Sequence, residues 1–238
     1  MNATSSLEDK NVLPAPDYDE YLKQWAAMYE GKNYNSGLSG YFLQKSHKWA
    51  ESDWNEQKHF SQVLEVGAGT GIHINYVNHS FDKYIMTDLN PPLMDQILLN
   101  NTKHGDKIST SVEDATKLSY ADNSFDRVIA AHVLEHLPKP HEVLQEWARV
   151  LKPGGVLTLV LPCDPGVLWR IGRYAFARQN FLNAGIQYDY WMAREHVNPI
   201  NNLVSFTRHF FPQVKEKWLP FGIKSIDANL FYIAHITV

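Results

Sequence analysis

A glycine-rich turn and an acidic residue beside it are the first part of this sequence whose residue types and spacing suit ligand binding. The turn is Gly67-Ala68-Gly69-Thr70-Gly71, and Glu65 stands two residues before it. Glycine adopts backbone angles that are closed to other residues and lets a ligand approach without a Cβ in the way. Glu65 would lie beneath the turn, where its carboxylate could accept hydrogen bonds from backbone amides or hold a ligand ammonium group through water.

The spacing of the glycines disfavours two common phosphate ligands. A dinucleotide fingerprint requires a third glycine three positions after the second, so that the pyrophosphate reaches the helix N-terminus. Ile72 stands at that position, and no Lys-Ser or Lys-Thr pair follows to complete a phosphate-binding loop. A nucleotide-dependent oxidoreductase is therefore the weaker alternative, and the turn favours a ligand with an adenosine and no pyrophosphate.

Two further acidic residues lie at the ends of the next two predicted strands. Asp88 comes seventeen residues after Gly71, close to the spacing at which a carboxylate binds a ribose diol, and Leu89 beside it belongs to the predicted site. A carboxylate suits a diol because it only accepts hydrogen bonds and can accept one from each hydroxyl group. Asp114 could accept a hydrogen bond from an adenine amino group, and the Ala115 amide could donate one to a ring nitrogen. The alternatives are a helix cap for Asp88 and an ordinary turn residue for Asp114.

The elements that position these residues are short apolar strands alternating with amphipathic helices. Strands are predicted at 62–66, 83–89, 107–114, 125–133 and 156–162. Helices are predicted from the glycine turn through about Asn78, from Asn90 with Pro91 and Pro92, and over the stripe of Val143, Leu144, Trp147, Val150 and Leu151, which 152–155 closes. This alternation implies an α/β fold, a doubly wound Rossmann-like sheet of mostly parallel strands. The C-terminal runs VKEKWLPF and NLFYIAHITV predict two antiparallel strands at the sheet edge.

The segments outside this core complete a single domain over 17–238. Residues 1–16 are polar and are expected to form a flexible tail. Asp17 and Glu20 resemble a capping box before a first helix, and a second helix carries Leu43, His47, Ala50 and Trp54 on one face and runs towards 58. The predicted organisation is N-terminal helices over 17–60, a cofactor-binding core over 61–162, a variable lid over 163–212 and terminal strands over 213–238.

Composition narrows the function classes. The chain has 238 residues, 44% of them apolar, and a formal net charge of −4, which is too mild for a nucleic-acid-binding surface. Cys163 is the only cysteine, which excludes an intrachain disulfide and a multi-cysteine zinc site. No apolar run approaches the roughly eighteen residues of a membrane span, and the opening residues lack the pattern of a secretory signal. We expect a cytoplasmic protein with no metal site and no nucleic-acid partner.

Four segments in order resemble the class I S-adenosylmethionine-dependent methyltransferases, in particular their small-molecule branch. These segments are LEVGAGTG, TDLN with Asp88, VEDA with Asp114, and FDRVIAAHVLEHL followed by ARVLKPGGVLTLVLP. The resemblance covers about 60–162. It implies that the glycine turn wraps the methionine part of the cofactor, that Asp88 binds the ribose and that Asp114 binds the adenine. It also implies a reversed hairpin of the last two strands.

Two histidines are the candidates for chemistry in such an enzyme. Methyl transfer from a sulfonium is an in-line displacement, so the protein mainly aligns the reactants and excludes water, and a base helps when the acceptor loses a proton. His132 follows the fourth predicted strand, next to where the reacting methyl group and cofactor should lie in this fold. His196 lies in the lid among charged residues. These residues slightly favour an oxygen acceptor over nitrogen, whereas His136 is expected to orient a loop.

The lid leaves several interpretations open. Trp169, Tyr174, Phe176 and Phe181 interleave with Arg170, Arg173 and Arg178, which fits a pocket for an acceptor with an anionic group. The same stretch fits an amphipathic helix over 167–182 on an anionic membrane surface, which would favour a lipid-linked acceptor, or an ordinary helix packed on the sheet. A scaffold that binds S-adenosylmethionine without catalysis is the remaining alternative.

Overall fold

The fold begins with two helices that precede the sheet. The computed structural model describes residues 13–28, 37–91, 97 and 102–238, so most of the predicted tail over 1–16 lies outside the described residues. Helix α1 spans Tyr18–Met28, and the Glu20 amide donates a hydrogen bond of 2.8 Å to Asp17 Oδ1, which confirms the predicted cap. Helix α2 spans Gly37–Glu51 and therefore ends seven residues before the predicted limit.

The described chain folds into a seven-stranded sheet, and the strands are β1 His59–Val66, β2 Ser80–Asp88, β3 Ile108–Val112, β4 Phe125–Ala131, β5 Leu151–Pro162, β6 Val214–Leu219 and β7 Phe231–Thr237. The strand order is β3-β2-β1-β4-β5-β7-β6. Strands β1 to β5 are parallel, whereas β7 runs antiparallel to β5 and to β6. The predicted α/β class and the antiparallel C-terminal strands are confirmed. Strand order reverses between β1 and β4, where open sheets of this kind bind ligands.

Helices cover the sheet and form the lid. Helix α3 spans Pro140–Val150, α4 Val167–Gly172, α5 Arg178–Asn183, α6 Tyr188–Glu195 and α7 Ile200–Phe210. One core cluster buries the predicted α3 stripe and the inner face of α7 against β4, β5 and β7. A second cluster on β1 and β2 includes Phe60, Met86 and the described Ile97. The rest of the helix predicted from Asn90 lies largely outside the described residues.

The helix predicted after the glycine turn is wrong. Only a single 3-10 turn, His73–Tyr76, follows the glycines, and Val77 is already extended with φ −63° and ψ 121°. Strand β2 begins three residues earlier than expected, so the chain has no length left for a helix through Asn78.

Other strand limits also differ from those predicted. Strand β1 starts at His59, and β5 starts at Leu151, so the 152–155 turn belongs to an irregular beginning of β5. Strand β3 ends at Val112 and β4 ends at Ala131. Asp114 and His132 consequently lie just beyond their strands, where the backbone is no longer constrained by ladder hydrogen bonds on both sides.

The first part of the lid is one continuous helical run over 167–183, in agreement with the helix predicted over 167–182, and α6 and α7 follow as separate helices. A π-helical turn, Arg173–Ala177, joins α4 to α5. Phe181 packs in a separate cluster with Ile186, Tyr188 and Trp191, which also stacks on Tyr21 of α1 at 4.0 Å between ring centroids. The lid thus has its own small core, which joins it to the first helix. In the described part of the chain, no helix is both long and apolar enough to cross a membrane.

Candidate active site

The glycine turn lies beside the tip of β4. Gly67 has φ +66°, and a Cβ added there would come within 2.5 Å of Val133 Cγ2, so only glycine fits the close approach of the two tips. Gly69 has φ +56°, and no described atom lies within 4 Å of the Cβ it would carry. The Ala68 amide donates to the Thr87 carbonyl at 2.8 Å, which fixes the turn to β2. The turn is therefore rigidly held on one side and open at Gly69.

Asp88 and the glycine turn are joined directly. Asp88 Oδ2 accepts a hydrogen bond of 3.0 Å from the Gly69 amide, and Oδ1 accepts one of 3.0 Å from the Asn90 amide. The bond from Asn90 is a local turn contact, and each carboxylate oxygen of Asp88 keeps a further lone pair. Leu89 follows with its side chain exposed.

Asp114 lies in a turn after β3. Its Oδ1 accepts hydrogen bonds from the Thr116 amide at 2.8 Å and the Thr116 hydroxyl at 2.7 Å, and these bonds lower the pKa of its carboxyl. The Ala115 carbonyl accepts a hydrogen bond of 2.9 Å from Trp147 Nε1, which anchors the turn to α3. The Glu113 amide donates to the Asp88 carbonyl at 3.2 Å, so the ends of β2 and β3 are adjacent.

Glu65 differs from its predicted environment. Its carboxylate is buried beneath the turn, but Oε2 accepts a hydrogen bond of 2.7 Å from the Tyr84 hydroxyl, not from backbone amides. Burial raises the pKa of this carboxyl. Glu65 does not make the expected amide contacts, because the Ala68 amide donates to the Thr87 carbonyl and the Gly69 amide donates to Asp88 Oδ2 instead.

His132 follows β4 with an unusual backbone. Its φ is +60°, a left-handed conformation that is uncommon outside glycine and clusters at functional sites. Its Nε2 lies 3.0 Å from Ser46 Oγ of α2, and its side chain is 13% exposed. Burial and the neighbouring histidines lower the pKa of His132 to about 3, so the ring is neutral at physiological pH.

Glu135 is the acidic residue next to His132, and it lies in the 3-10 turn Leu134–His136. Its Oε1 is 3.9 Å from His132 Nδ1. The same oxygen is 3.8 Å from His136 Nε2. Glu135 is only 3% exposed, and its Oε2 has no hydrogen-bond partner among the described residues. Burial, reinforced by nearby Asp164, raises the pKa of this carboxyl to about 8. A neutral carboxylic acid at this position avoids a buried unpaired charge.

His196 lies at a cavity of about 320 Å³ in the lid. Its Nδ1 lies 2.9 Å from Oδ2 of the buried Asp164, and its ring meets the His136 ring edge-on at 4.8 Å between centroids. Arg173 Nη1 is 3.7 Å from the same Asp164 oxygen, and its guanidinium faces the Tyr188 ring. His136 Nδ1 donates to the Glu195 carbonyl at 2.9 Å, which fits its expected role in orienting a loop.

The structure brings most of the predicted residues to the carboxyl edge of the sheet. The glycine turn meets Asp88 directly, and the turn bearing His136 connects the His132 and His196 neighbourhoods. Sequence reasoning missed Ser46, Glu135 and Asp164. Glu135 stands three residues after His132, a spacing that could have marked it, whereas Ser46 carries no local signal. In the described residues, no group of acidic, histidine or cysteine side chains is arranged to hold a metal ion.

The glycine turn and the acidic strand ends lie where the strand order reverses, the position at which open α/β sheets bind nucleotide-like ligands. Residues 64–159 match the family described as "Methyltransferase domain". The N-methyltransferase NodS of Bradyrhizobium japonicum, solved with S-adenosyl-L-homocysteine, shares the fold with a TM-score of 0.64 at 16% identity, over 92% of this chain and 96% of that one. The chain is therefore similar in sequence to methyltransferase domains over 64–159, and its fold is that of a methyltransferase solved with S-adenosyl-L-homocysteine.

Curated relatives agree with this family. A demethylmenaquinone methyltransferase of Bacteroides fragilis is 30% identical over 139 residues, which cover 57% of this chain and 56% of that protein. The highly reducing polyketide synthase ctvA of Aspergillus terreus is 28% identical over 152 residues, or 60% of this chain. The chain spans only 6% of that synthase, so the likeness concerns one domain of a much longer protein.

Proposed function

We propose that this chain transfers the methyl group of S-adenosylmethionine to an oxygen atom of a small-molecule acceptor. The observation that carries the proposal is the direct hydrogen bond between the Gly69 amide and Asp88, in a turn whose Gly67 lies against Val133, the residue after His132 at the tip of β4. When bound, the cofactor supplies a methyl group already activated by a positively charged sulfur. The work of the protein is then to hold the two reactants in line and to accept a proton.

The strand tips fit the parts of such a cofactor. The open space above Gly69 leaves room for a ligand over the turn, which Gly67, Ala68 and Gly71 complete. Asp88 retains lone pairs for a ribose diol, with the exposed Leu89 beside it, and Asp114 with the Ala115 amide would read the adenine. Glu65 lies beneath the turn, and its charge would favour the ligand ammonium group from below.

His132 is the proposed base. Its neutral ring at physiological pH, partly exposed at the tip of β4, can accept a proton from an acceptor hydroxyl in the transition state. The acceptor would extend into the lid cavity, where the pair of Asp164 and His196 offers a second oriented imidazole. An acceptor that loses a proton as it reacts needs such groups, which is why oxygen is preferred to nitrogen here.

Calorimetry tests the cofactor assignment. We expect S-adenosylmethionine and S-adenosylhomocysteine to bind and NAD to give no signal. Binding of NAD alone would contradict the proposal. Binding of the sulfonium without methyl transfer to any of a panel of phenols, alcohols, carboxylic acids and amines would instead favour a non-catalytic scaffold. Mass spectrometry of the product, with methyl on oxygen or on nitrogen, decides the accepting atom.

A lipid-linked acceptor is the second candidate, and it rests on the lid surface. Val167, Ile171, Tyr174 and Phe176 are exposed between residues 167 and 182, although Arg178 is engaged by Asp189 at 2.6 Å. Apolar side chains on a helical surface can enter the boundary of a membrane. Sedimentation with anionic vesicles tests this candidate: loss of binding in a Val167→Ser, Ile171→Ser variant would support it, and no binding by the unmodified protein would exclude it.

A further inference from the structure

A buried carboxyl group with one unsatisfied oxygen stands next to the proposed base. Glu135 has its Oε1 3.9 Å from His132 Nδ1, and its Oε2 has no partner among the described residues. Buried polar atoms in proteins are nearly always hydrogen-bonded, so an unsatisfied one calls for an explanation. An acid that exchanges a proton during function is one such explanation, and the geometry around His132 provides the route.

Ser46 determines which nitrogen of His132 carries the proton. The Ser46 hydroxyl has one hydrogen, and it donates to the Leu43 carbonyl at 2.7 Å. Its oxygen therefore accepts the hydrogen bond of 3.0 Å from His132, which must be protonated on Nε2. The lone pair of the neutral ring then lies on Nδ1, the nitrogen that faces Glu135. Ser46 is fully buried and its proton is committed, so it is not a nucleophile despite its contact with a histidine.

The groups around Glu135 favour its neutral form in the absence of ligand. Asp164, from the segment after β5, raises the pKa of Glu135 by like-charge repulsion, in addition to the larger effect of burial. The neighbouring imidazoles of His136 and His196 come from the same turn and from the segment after α6. Arg173 of the lid is held by Asp164, at 3.7 Å, and compensates that carboxylate.

The opposite side of His132 faces α2. The His47 ring lies 5.7 Å from the His132 ring, and burial holds the pKa of His47 well below its usual range. His73 lies behind it, with Nδ1 2.9 Å from His47 Nδ1 and Nε2 2.9 Å from the buried Glu51, whose charge Arg127 balances. Glu135 is therefore the acidic group nearest to His132 that no cation compensates among the described residues.

We infer that Glu135 is the proton-holding partner of His132: it loses its proton when the positively charged cofactor binds and regains one, through His132, when the methyl group is transferred. This inference rests on the proposed function and goes beyond it, because it assigns the final destination of the acceptor proton. Glu135 acts through His132 and does not touch the substrate.

The step balances in atoms and charge. The carbon–sulfur bond of the cofactor breaks, the sulfur keeps the electron pair and becomes a neutral thioether, and a carbon–oxygen bond forms on the acceptor. The acceptor hydroxyl loses its proton to His132 Nδ1, and that proton passes to Glu135. One positive and one negative charge disappear together, so the buried site ends uncharged, which a low-dielectric environment favours.

Proton release on binding tests the inference without any turnover. Titration calorimetry with S-adenosylmethionine and with S-adenosylhomocysteine, each in two buffers of different ionisation enthalpy at pH 7, gives the number of protons released. The two ligands share every ionisable group and differ in the sulfonium charge. We expect S-adenosylmethionine to release more protons, by up to about one per site, because a nearby positive charge favours the carboxylate.

Two variants identify the group that releases the proton. In Glu135→Gln, which keeps the size and shape of the side chain, the difference between the two ligands should disappear. In Glu142→Gln, a matched change at an exposed carboxyl seven residues further along, the difference should persist. Circular dichroism verifies that both variants are folded. Equal proton release for the two ligands in the unmodified protein, or an unchanged difference in Glu135→Gln, would overturn the inference.

Kinetics separate the failure of the inference from that of the proposed function. Glu135→Gln should lower kcat about 10- to 100-fold, within the usual range for a lost proton acceptor, with little change in KM, and it should remove the rise of kcat with pH. Glu135→Asp should restore part of that rise. Turnover that is undiminished in Glu135→Gln contradicts only the inference. Absence of S-adenosylmethionine binding in the unmodified protein removes the proposed function and the inference with it.

Discussion

Two parts of the same sheet edge hold their acidic groups in opposite ways. At the tips of β2 and β3, Asp88 and Asp114 are partly or largely exposed and accept hydrogen bonds from backbone amides. At the tips of β4 and β5, Glu135 and Asp164 are buried, and the Glu135 pKa is raised to about 8. Hydrogen bonds from Thr116 lower the pKa of the Asp114 carboxyl, whereas burial raises that of Glu135, so the charge of Glu135 depends on what binds near it.

This contrast separates recognition from chemistry. Carboxylates that remain charged and in contact with water can hold the hydroxyl and amino groups of a ligand in every state of the reaction. A buried group near neutral pKa can change its protonation state during the reaction, which is the property required of an acid or a base. The methyl group would cross from the first part of the edge to the second.

The largest expected effect concerns His132. Changing His132 to Ala should lower kcat by about 10²- to 10⁴-fold, the usual contribution of a general base, and leave the dissociation constant of S-adenosylmethionine nearly unchanged. His132→Asn is the control for the backbone, because asparagine tolerates the left-handed angles at this position. Stopped-time assays and calorimetry measure the two quantities. Turnover equal to that of the unmodified protein in both variants would make His132 a structural residue.

The next effect lies on the recognition side. Asp88→Ala should weaken S-adenosylmethionine binding by about 1–3 kcal/mol, the cost of leaving buried ribose hydroxyls unpaired. Asp88→Asn separates this from damage to the glycine turn, since its amide oxygen can still accept a backbone hydrogen bond. Calorimetry should give a smaller loss for Asn than for Ala, with kcat at saturation little affected in both. Unchanged affinity in the Ala variant would remove Asp88 from the site.

Stability should also reveal the buried carboxyl. A carboxyl whose pKa is raised on folding binds more protons in the folded state, so it favours folding at low pH, and this contribution is lost as the pH rises from about 4.5 to about 8. The loss amounts to at most about 1.4 kcal/mol for each pH unit. Urea unfolding at several pH values should show this decline in the unmodified protein and a shallower one in Glu135→Gln. If the plots of unfolding free energy against pH are parallel for the two proteins, Glu135 does not titrate in this range.

The smallest effect is expected at Asp114. Its side chain is exposed, and its Oδ1 is already engaged by Thr116, so Asp114→Ala should weaken cofactor binding by roughly 0.5–1.5 kcal/mol, the net worth of one ordinary hydrogen bond. Competition between S-adenosylhomocysteine and adenosine, measured by calorimetry, distinguishes an adenine contact from a general loss. A larger loss of cofactor affinity in Asp114→Ala than in Asp88→Ala would contradict this prediction.

Local sequence patterns predicted where the glycine turn and the acidic strand ends lie, but they did not predict the contacts of His132 and His196. The glycine turn, Asp88 and Asp114 each follow a strand, so strand alternation alone places them at one edge. The base and its partners depend instead on how elements far apart in sequence dock. Ser46 meets His132 across 86 residues and His196 meets Asp164 across 32, and no periodicity encodes such contacts. The helix predicted after Gly71 was also wrong, because β2 begins at Ser80 and leaves room only for the 3-10 turn His73–Tyr76.

Helix α2 has a consequence for anyone who trims this domain. Glu51 forms a bidentate ion pair with Arg127 inside the sheet, at 2.6 and 3.0 Å, while Ser46 orients His132 from the same helical face. A shortened version starting at His59 would retain every β-strand. It would nevertheless leave the Arg127 guanidinium buried without its carboxylate partner and the His132 imidazole without the hydrogen bond that orients it. A truncated domain that keeps these contacts must therefore begin no later than Gly37, which precedes the matched region 64–159.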